Sequence, residues 1–157
     1  MPEPQLIDRY NRHLNYLRIS ITDRCNLRCV YCSPGNRLHR LLHADILRYE
    51  EILRLIRIGV NLGISKVRVT GGEPLVRKGA ADFLAELSKI RGLTEVTLTT
   101  NGVLLKDNLN RIKDAGIQRI NISLDTLQKK KFNEITGENL FDQVWAGIGA
   151  AKQLGFN

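Results

Sequence analysis

The sequence predicts an α/β fold in which the strands of a parallel sheet alternate with helices. Three segments share one pattern: a glycine, an apolar residue, two polar residues and then alternating apolar and polar residues. They are GISKVRVT from Gly63, GLTEVTLT from Gly92 and GIQRINIS from Gly116. Helical patterns precede them over residues 49–62, 78–91 and 106–115. Such alternation favours a parallel sheet with right-handed crossover connections.

The remaining elements follow from the same pattern. LRISIT, residues 17–22, has the strand ending without the glycine and predicts the first strand. A glycine directly after a helical pattern is typical of the left-handed residue that ends a helix, and a fourth helix over 141–154 ends in this way at Gly155. Trp145 in that helix is expected in the core. We therefore expect about four β-α units, forming part of a (β/α) barrel within one domain, residues 1–157.

The strands alternate between apolar and polar side chains, so each strand presents one face of each kind. The apolar face is expected to pack on the helices. A closed barrel of this class normally fills its interior with Val, Ile and Leu, so a polar inner face indicates the wall of a ligand chamber. A sheet with one solvated face is the alternative, but helical crossovers argue against it. The polar set is Arg18, Ser20, Thr22, Arg68, Thr70, Thr97, Thr99, Asn121 and Ser123.

Composition limits the possible partners. With 24 Lys and Arg against 16 Asp and Glu, the chain carries a formal charge of +8, which fits either solvated helix faces or an anionic partner. No apolar run approaches the ~18 residues of a membrane span, and the first residues lack the apolar core of a signal peptide. We expect a cytoplasmic location, where thiols stay reduced, and no membrane partner.

All three cysteines, Cys25, Cys29 and Cys32, lie within eight positions directly after the first predicted strand. An odd number at such close spacing does not suit a disulfide framework. A zinc site completed by His39 or His43 is one possibility, although a gap of three residues between the first two thiols is unusual for zinc. The other is a four-iron cluster with three irons bound by cysteine and the fourth open to a ligand.

The C-x3-C-x2-C spacing resembles the signature of the radical S-adenosylmethionine (radical SAM) enzymes. The resemblance implies that the three thiolates bind a [4Fe-4S] cluster whose open iron binds the amino and carboxylate groups of S-adenosylmethionine. Reduction then cleaves a carbon–sulfur bond and yields a 5′-deoxyadenosyl radical. Tyr31 matches the aromatic position beside the adenine. TGGEP, Thr70–Pro74, resembles the motif for the methionyl ammonium group, which implies cofactor-binding roles for Gly71, Gly72 and Glu73.

Four blocks, LRISITDRCNLRCVYC, KVRVTGGEPLVR, LTTNGVLL and RINISLDT, resemble the GTP 3′,8-cyclase family of molybdenum cofactor biosynthesis. The resemblance implies a lyase that converts GTP to (8S)-3′,8-cyclo-7,8-dihydroguanosine 5′-triphosphate and needs a reducing electron donor. It assigns Ser123 to S-adenosylmethionine, and Arg18, Arg68 and Thr99 to GTP. Arginine suits phosphate because its guanidinium donates bidentate hydrogen bonds. No residue is assigned as a general acid or base.

The sequence also departs from that family. CSPG stands where the family commonly has Met-Pro after the third cysteine, and the family's second cysteine cluster near its C-terminus has no counterpart here. We therefore expect the N-terminal part of a radical SAM core domain, with RINIS as an open sheet edge that favours self-association and with no cyclisation of GTP by this chain alone.

Two other functions stay open on the sequence. One is a radical SAM enzyme that acts on a peptide or another small molecule. The other is a non-enzymatic zinc- or cluster-binding module, for which a nucleic-acid partner would explain the positive charge. The favoured interpretation, a GTP cyclase, has no nucleic-acid partner.

Overall fold

A computed structural model describes residues 6–32 and 41–157 and contains one parallel sheet of four strands. The strands lie side by side in chain order, and each pairs with the next in parallel, as the predicted crossovers require. Together with the helices they form an open section of a (β/α) barrel. The strands are β1 (Tyr16–Ser20), β2 (Lys66–Thr70), β3 (Glu95–Thr100) and β4 (Arg119–Ile122).

Five helices connect or follow these strands in the described part of the chain. Four of them confirm the predicted helical patterns: α1 (Tyr49–Asn61), α2 (Ala80–Ser88), α3 (Leu105–Asp114) and α5 (Phe141–Gln153). The fifth, α4 (Lys129–Thr136), lies in a segment for which the sequence predicted no element. The glycines that open the three repeats have φ angles of 98°, 101° and 83°, which confirms the predicted left-handed helix ends at Gly63, Gly92 and Gly116.

The main core lies between the apolar face of the sheet and helices α1, α2, α3 and α5. Val67, Val69 and Leu98 on the central strands are at most 1% exposed, as the alternation predicted. From the helices, Ile56 and Leu84 are completely buried against them. The polar residues of the same strands therefore point to the opposite face, which no helix of the described chain covers with a hydrophobic core.

Trp145 corrects one expectation, since it is 52% exposed and is not a core anchor. Helix α5 buries Val144, Gly147 and Ala151, and Trp145 lies outside this stripe. It stacks on Phe141, with ring centroids 6.0 Å apart. Gly147 permits the close contact of α5, since a Cβ at that position would stand 2.9 Å from the carbonyl oxygen of Gly102.

The outer edge of β4 is partly covered. The amide of Ile120 donates to the carbonyl of Asn157 at 3.0 Å, and the amide of Asn157 donates to the carbonyl of Gln118 at 3.1 Å. This is the hydrogen-bond pattern of one step of a parallel ladder. Self-association through the rest of this edge stays a prediction. None of the described helices is both long and apolar enough to cross a membrane.

The packing of α1 gives a direct test of the fold. Ile56→Ala is expected to lower the free energy of unfolding by about 2–5 kcal/mol, because it leaves a cavity at a completely buried position. Ile58→Ala on the same helix, where the side chain is 49% exposed, should stay within about 0.5 kcal/mol of the parent. Urea denaturation measures both. An equal decrease in the free energy of unfolding for the two variants would contradict the orientation of α1.

Candidate functional site

The cysteine loop follows the carboxyl end of β1. Cys25 and Cys29 are partly buried and Cys32 is exposed, and all three are free thiols. The amide of Leu27 donates to the sulfur of Cys25 at 3.4 Å, and the amide of Cys32 donates to the carbonyl of Cys29 at 3.0 Å. The loop is therefore folded back on itself after the carboxyl end of β1.

Helix α4 supports this loop from outside the sheet. The amides of Arg28 and Val30 donate to the carbonyls of Thr136 and Ile135, both at 2.9 Å. Leu27 is buried in a small second core with Phe132 and two further apolar residues, and Cys25 and Cys29 pack against that core. The helix that the sequence did not reveal is thus the element that holds the thiol-bearing backbone in place.

The glycine loop after β2 is bonded directly to the cysteine loop. The amide of Gly72 donates to the carbonyl of Thr22 at 2.7 Å, and the amide of Glu73 donates to the carbonyl of Arg24 at 2.8 Å. A Cβ at Gly72 would overlap the Arg24 carbonyl oxygen, and one at Gly71 would stand 2.8 Å from that of Thr22. The two glycines therefore permit contact between the two loops, and their predicted contact with a cofactor stays a prediction.

The carboxylate of Glu73 is completely buried. It accepts hydrogen bonds from the amide of Leu75 at 3.0 Å, the hydroxyl of Thr100 at 2.8 Å and the amide of Asn101 at 2.6 Å. Burial raises the pKa of this carboxyl, while these three donors oppose the rise. Any direct contact of Glu73 with a cofactor would have to come from its backbone, because its side chain is engaged within the protein.

The donor set suits an iron–sulfur cluster. Burial raises the pKa of the Cys25 and Cys29 thiols, and a nearby Cys32 thiolate raises both further. Within residues 6–32 and 41–157, no three His, Cys, Asp or Glu side chains are grouped closely enough to hold one metal ion. In a four-iron cluster each thiolate binds a different iron, so the sulfurs stand further apart than in a zinc site. His39 lies outside the described residues, and the His43 side chain is not among those described.

Two further predicted residues lie at the same end of the sheet. The phenol of Tyr31 donates to Asp125 Oδ2 at 2.8 Å, which links the cysteine loop to the loop after β4. Burial and this hydrogen bond raise the pKa of Tyr31 well above its usual range. Ser123 follows β4, is exposed, and its amide donates to the carbonyl of Thr100 at 2.9 Å.

The polar face of the sheet carries an excess of positive charge. Strand register places Arg18 beside Arg68, Arg68 beside Thr97, and Thr97 beside Arg119, so one row of residues crosses all four strands. Two residues closer to the amino ends of β2 and β3, Lys66 lies beside Glu95 in the same register. Four basic residues thus share this face with one carboxylate, which lies 4.0 Å from Lys66 and 3.8 Å from Arg119.

Several polar atoms on this face are buried without a hydrogen-bond partner among the described residues. The Nε of Arg68 is one, although its guanidinium lies 5.6 Å from the centre of the Tyr16 ring. Buried polar groups are nearly always satisfied, so a cluster of unsatisfied ones indicates a ligand or solvent that completes them. The others are Thr97 Oγ1, Thr99 Oγ1 and Asn121 Nδ2.

The sequence model of the Radical SAM superfamily matches residues 19–157. The chain belongs to the radical SAM superfamily. Membership implies S-adenosylmethionine and an iron–sulfur cluster as cofactors.

Relatives of this radical SAM chain include two enzymes named GTP 3′,8-cyclase. The one from Thermodesulfovibrio yellowstonii is 52% identical over 149 residues, covering 94% of this chain and 46% of the relative. The one from Geobacter sulfurreducens is 51% identical over 152 residues, covering 97% and 47%. The chain thus spans about half the length of the curated relatives that it matches.

Solved structures confirm the fold class. The structure of anSMEcpe with bound AdoMet superposes with a TM-score of 0.71 at 21% identity, over 90% of this chain and 40% of the other. HydG, a maturase of the [FeFe]-hydrogenase, superposes with a TM-score of 0.69 at 18% identity, over 90% and 33%. Both likenesses bear on the fold alone.

Four residues at this radical SAM site were missed by sequence reasoning. Asn101 directly follows β3 and Asp125 is the third residue after β4, where this architecture concentrates functional side chains, so their positions could have identified them. Lys66 and Arg119 have the same strand parity as Arg68 and Asn121, so extending the alternation by one step would have placed them on the polar face.

The contact between the two loops can be tested at Gly72. Gly72→Ala is expected to lower the free energy of unfolding by roughly 1–3 kcal/mol, because the added methyl group overlaps the Arg24 carbonyl. Gly149→Ala is the matched control, since a Cβ there meets nothing within 4 Å, and in helix α5 it should stabilise by about 0.5–1 kcal/mol. Urea denaturation measures the free energy of unfolding of both variants. An unchanged free energy of unfolding in Gly72→Ala would contradict the described loop contact.

Proposed function

We propose that this chain provides the cluster and cofactor site of an enzyme that converts GTP to (8S)-3′,8-cyclo-7,8-dihydroguanosine 5′-triphosphate in molybdenum cofactor biosynthesis. The observation that carries the proposal is the pairing of a thiol-bearing loop with a cationic, unsatisfied polar face on the same sheet. The 52% and 51% identical relatives named GTP 3′,8-cyclase support the choice of substrate.

In this proposal Cys25, Cys29 and Cys32 hold a [4Fe-4S] cluster. The loop containing Gly71, Gly72 and Glu73 shapes the cofactor site, and Tyr31 and Ser123 complete it. When bound, such a cluster supplies an electron that cleaves a carbon–sulfur bond of S-adenosylmethionine, and the electron comes from an external low-potential donor. Free thiols are consistent with a reducing compartment, so we assign the reaction to the cytoplasm.

The protein's own contribution is to bind and orient its ligands, since the cofactor carries the difficult chemistry. Arg18, Arg68 and Thr99 would bind GTP along the polar face. A triphosphate would supply the negative charge that this face lacks, because among the described strand residues Glu95 is its one carboxylate against four basic side chains. Carbonyl oxygens of the glycine loop suit an ammonium group, whereas its amides at Gly72 and Glu73 already donate to the cysteine loop.

Cluster binding is tested by counting iron after anaerobic reconstitution. Each of Cys25→Ala, Cys29→Ala and Cys32→Ala is expected to lose the cluster and its visible absorption, because two thiolates do not hold four irons against solvent. Val30→Ala, at a position in the same loop that is 60% exposed, should keep about the iron content of the parent. Full iron content in any cysteine variant, or zinc in place of iron in the parent, would refute the assignment.

Nucleotide binding is tested by calorimetric titration of GTP into the reconstituted chain. Arg68→Ala should weaken binding by roughly 10-fold to 100-fold, since a charge-assisted hydrogen bond contributes about 1.5–3 kcal/mol. Arg57→Ala removes the same charge from the exposed face of α1 and should leave the affinity within about twofold of the parent. Equal losses of GTP affinity in the two variants would mean that net charge, and not the position of Arg68, determines binding. A parent that binds no GTP would instead favour a radical SAM enzyme with a peptide or another small-molecule substrate.

A further inference from the structure

The side chain of Asn101 reaches from the end of β3 to the first cysteine of the loop. Its Nδ2 lies 3.6 Å from the sulfur of Cys25, within the range of a hydrogen bond to sulfur. The same Nδ2 donates to Asn26 Oδ1 at 2.8 Å. A primary amide has two N–H groups, so one can serve the sulfur while the other serves Asn26.

The orientation of this amide is determined by its other contacts. Its Oδ1 accepts the amide of Val103 at 3.0 Å, at the start of the turn before α3. A rotated amide would turn an N–H toward the Val103 N–H and an oxygen toward Asn26 Oδ1, so both hydrogen bonds would be lost. The N–H side therefore faces the sulfur of Cys25.

The backbone of Asn101 is anchored as well. Its amide donates to the buried Glu73 Oε2 at 2.6 Å, and Glu73 in turn is bonded through its own amide to Arg24, next to Cys25. The side-chain amide of Asn101 and the sulfur of Cys25 are thus held against each other by a continuous set of hydrogen bonds. Such anchoring is what gives a hydrogen bond near a metal ligand a defined effect.

We propose that Asn101 is a positioning residue whose side-chain N–H donates to the Cys25 thiolate and raises the reduction potential of the cluster that this thiolate binds. The proposal rests on the proposed function, because it requires the cluster. One-electron reduction of [4Fe-4S]²⁺ to [4Fe-4S]⁺ adds a negative charge that is shared with the thiolate sulfurs. A donor aimed at one of these sulfurs stabilises the reduced state more than the oxidised state.

The test is an anaerobic redox titration of the reconstituted 157-residue chain, with dithionite as electron donor and electron paramagnetic resonance as readout. Asn101→Ser keeps an oxygen that can accept the Val103 amide but is too short to donate to the Cys25 sulfur. At a fixed solution potential, its ratio of reduced to oxidised cluster should fall by roughly fivefold to tenfold, and tenfold corresponds to about 59 mV for a one-electron couple. Asn101→Asp, which places an oxygen where the N–H stood, should show a larger fall.

Asn108→Ser is the matched control. It removes an equally half-buried amide that donates to the Leu104 carbonyl at 2.8 Å within α3, and it should leave the potential of the parent unchanged. Potentials of both Asn101 variants equal to that of the parent, at equal iron content, would overturn the proposal. Loss of iron from both folded variants would also overturn it, since a hydrogen bond that only adjusts the potential is not needed for cluster assembly. A parent that binds no iron would refute the proposed function itself.

Discussion

The site depends on one buried carboxylate, that of Glu73. Three donors surround it, two of them from the end of β3 and one from its own loop, while the Glu73 amide reaches back to the cysteine loop after β1. An unpaired buried charge is costly, so the donors must stay in place whenever the carboxylate is ionised. The thiol-bearing loop, the glycine loop and the turn that contains Asn101 are consequently held as one unit.

The polar face of the sheet differs from the Glu73 site, because several of its polar atoms lack hydrogen-bond partners among the described residues. Arg18, Lys66, Arg68 and Arg119 lie on neighbouring strands, and Glu95 lies within 4.0 Å of two of them, Lys66 and Arg119. Hydroxyl and amide groups beside them have no partner among the described residues. Of the four basic side chains only that of Arg68 is partly buried, so the unsatisfied groups weigh more here than repulsion between exposed charges. An anionic ligand that offers many acceptor oxygens would satisfy these groups and balance the positive charge.

The cysteine loop and the polar face are held in place by different kinds of interaction. The proposed cluster would need three thiolates in a defined arrangement, and the backbone of the cysteine loop is held by short hydrogen bonds, packed glycines and support from α4. The polar face consists of side chains on β-strands, whose positions are set by sheet register. Placing flexible arginines on rigid strands preserves the location of the charge while leaving the guanidinium groups free to adjust to a ligand.

The sequence by itself determined the order of strands and helices, the glycine helix ends, the two faces of the sheet and the grouping of the thiols. These features are local, because they follow from residue spacing along a single element. Only the tertiary structure decided that α4 forms and supports the cysteine loop, that Trp145 is exposed, and that Asn101 meets Cys25. Helix α4 is a short, polar segment whose buried Phe132 has core partners distant in sequence, such as Leu27 and Val144, and the contact of Asn101 with Cys25 joins residues 76 positions apart. Such contacts depend on which elements become neighbours in space, and the residue pattern within a single segment does not indicate which elements those are.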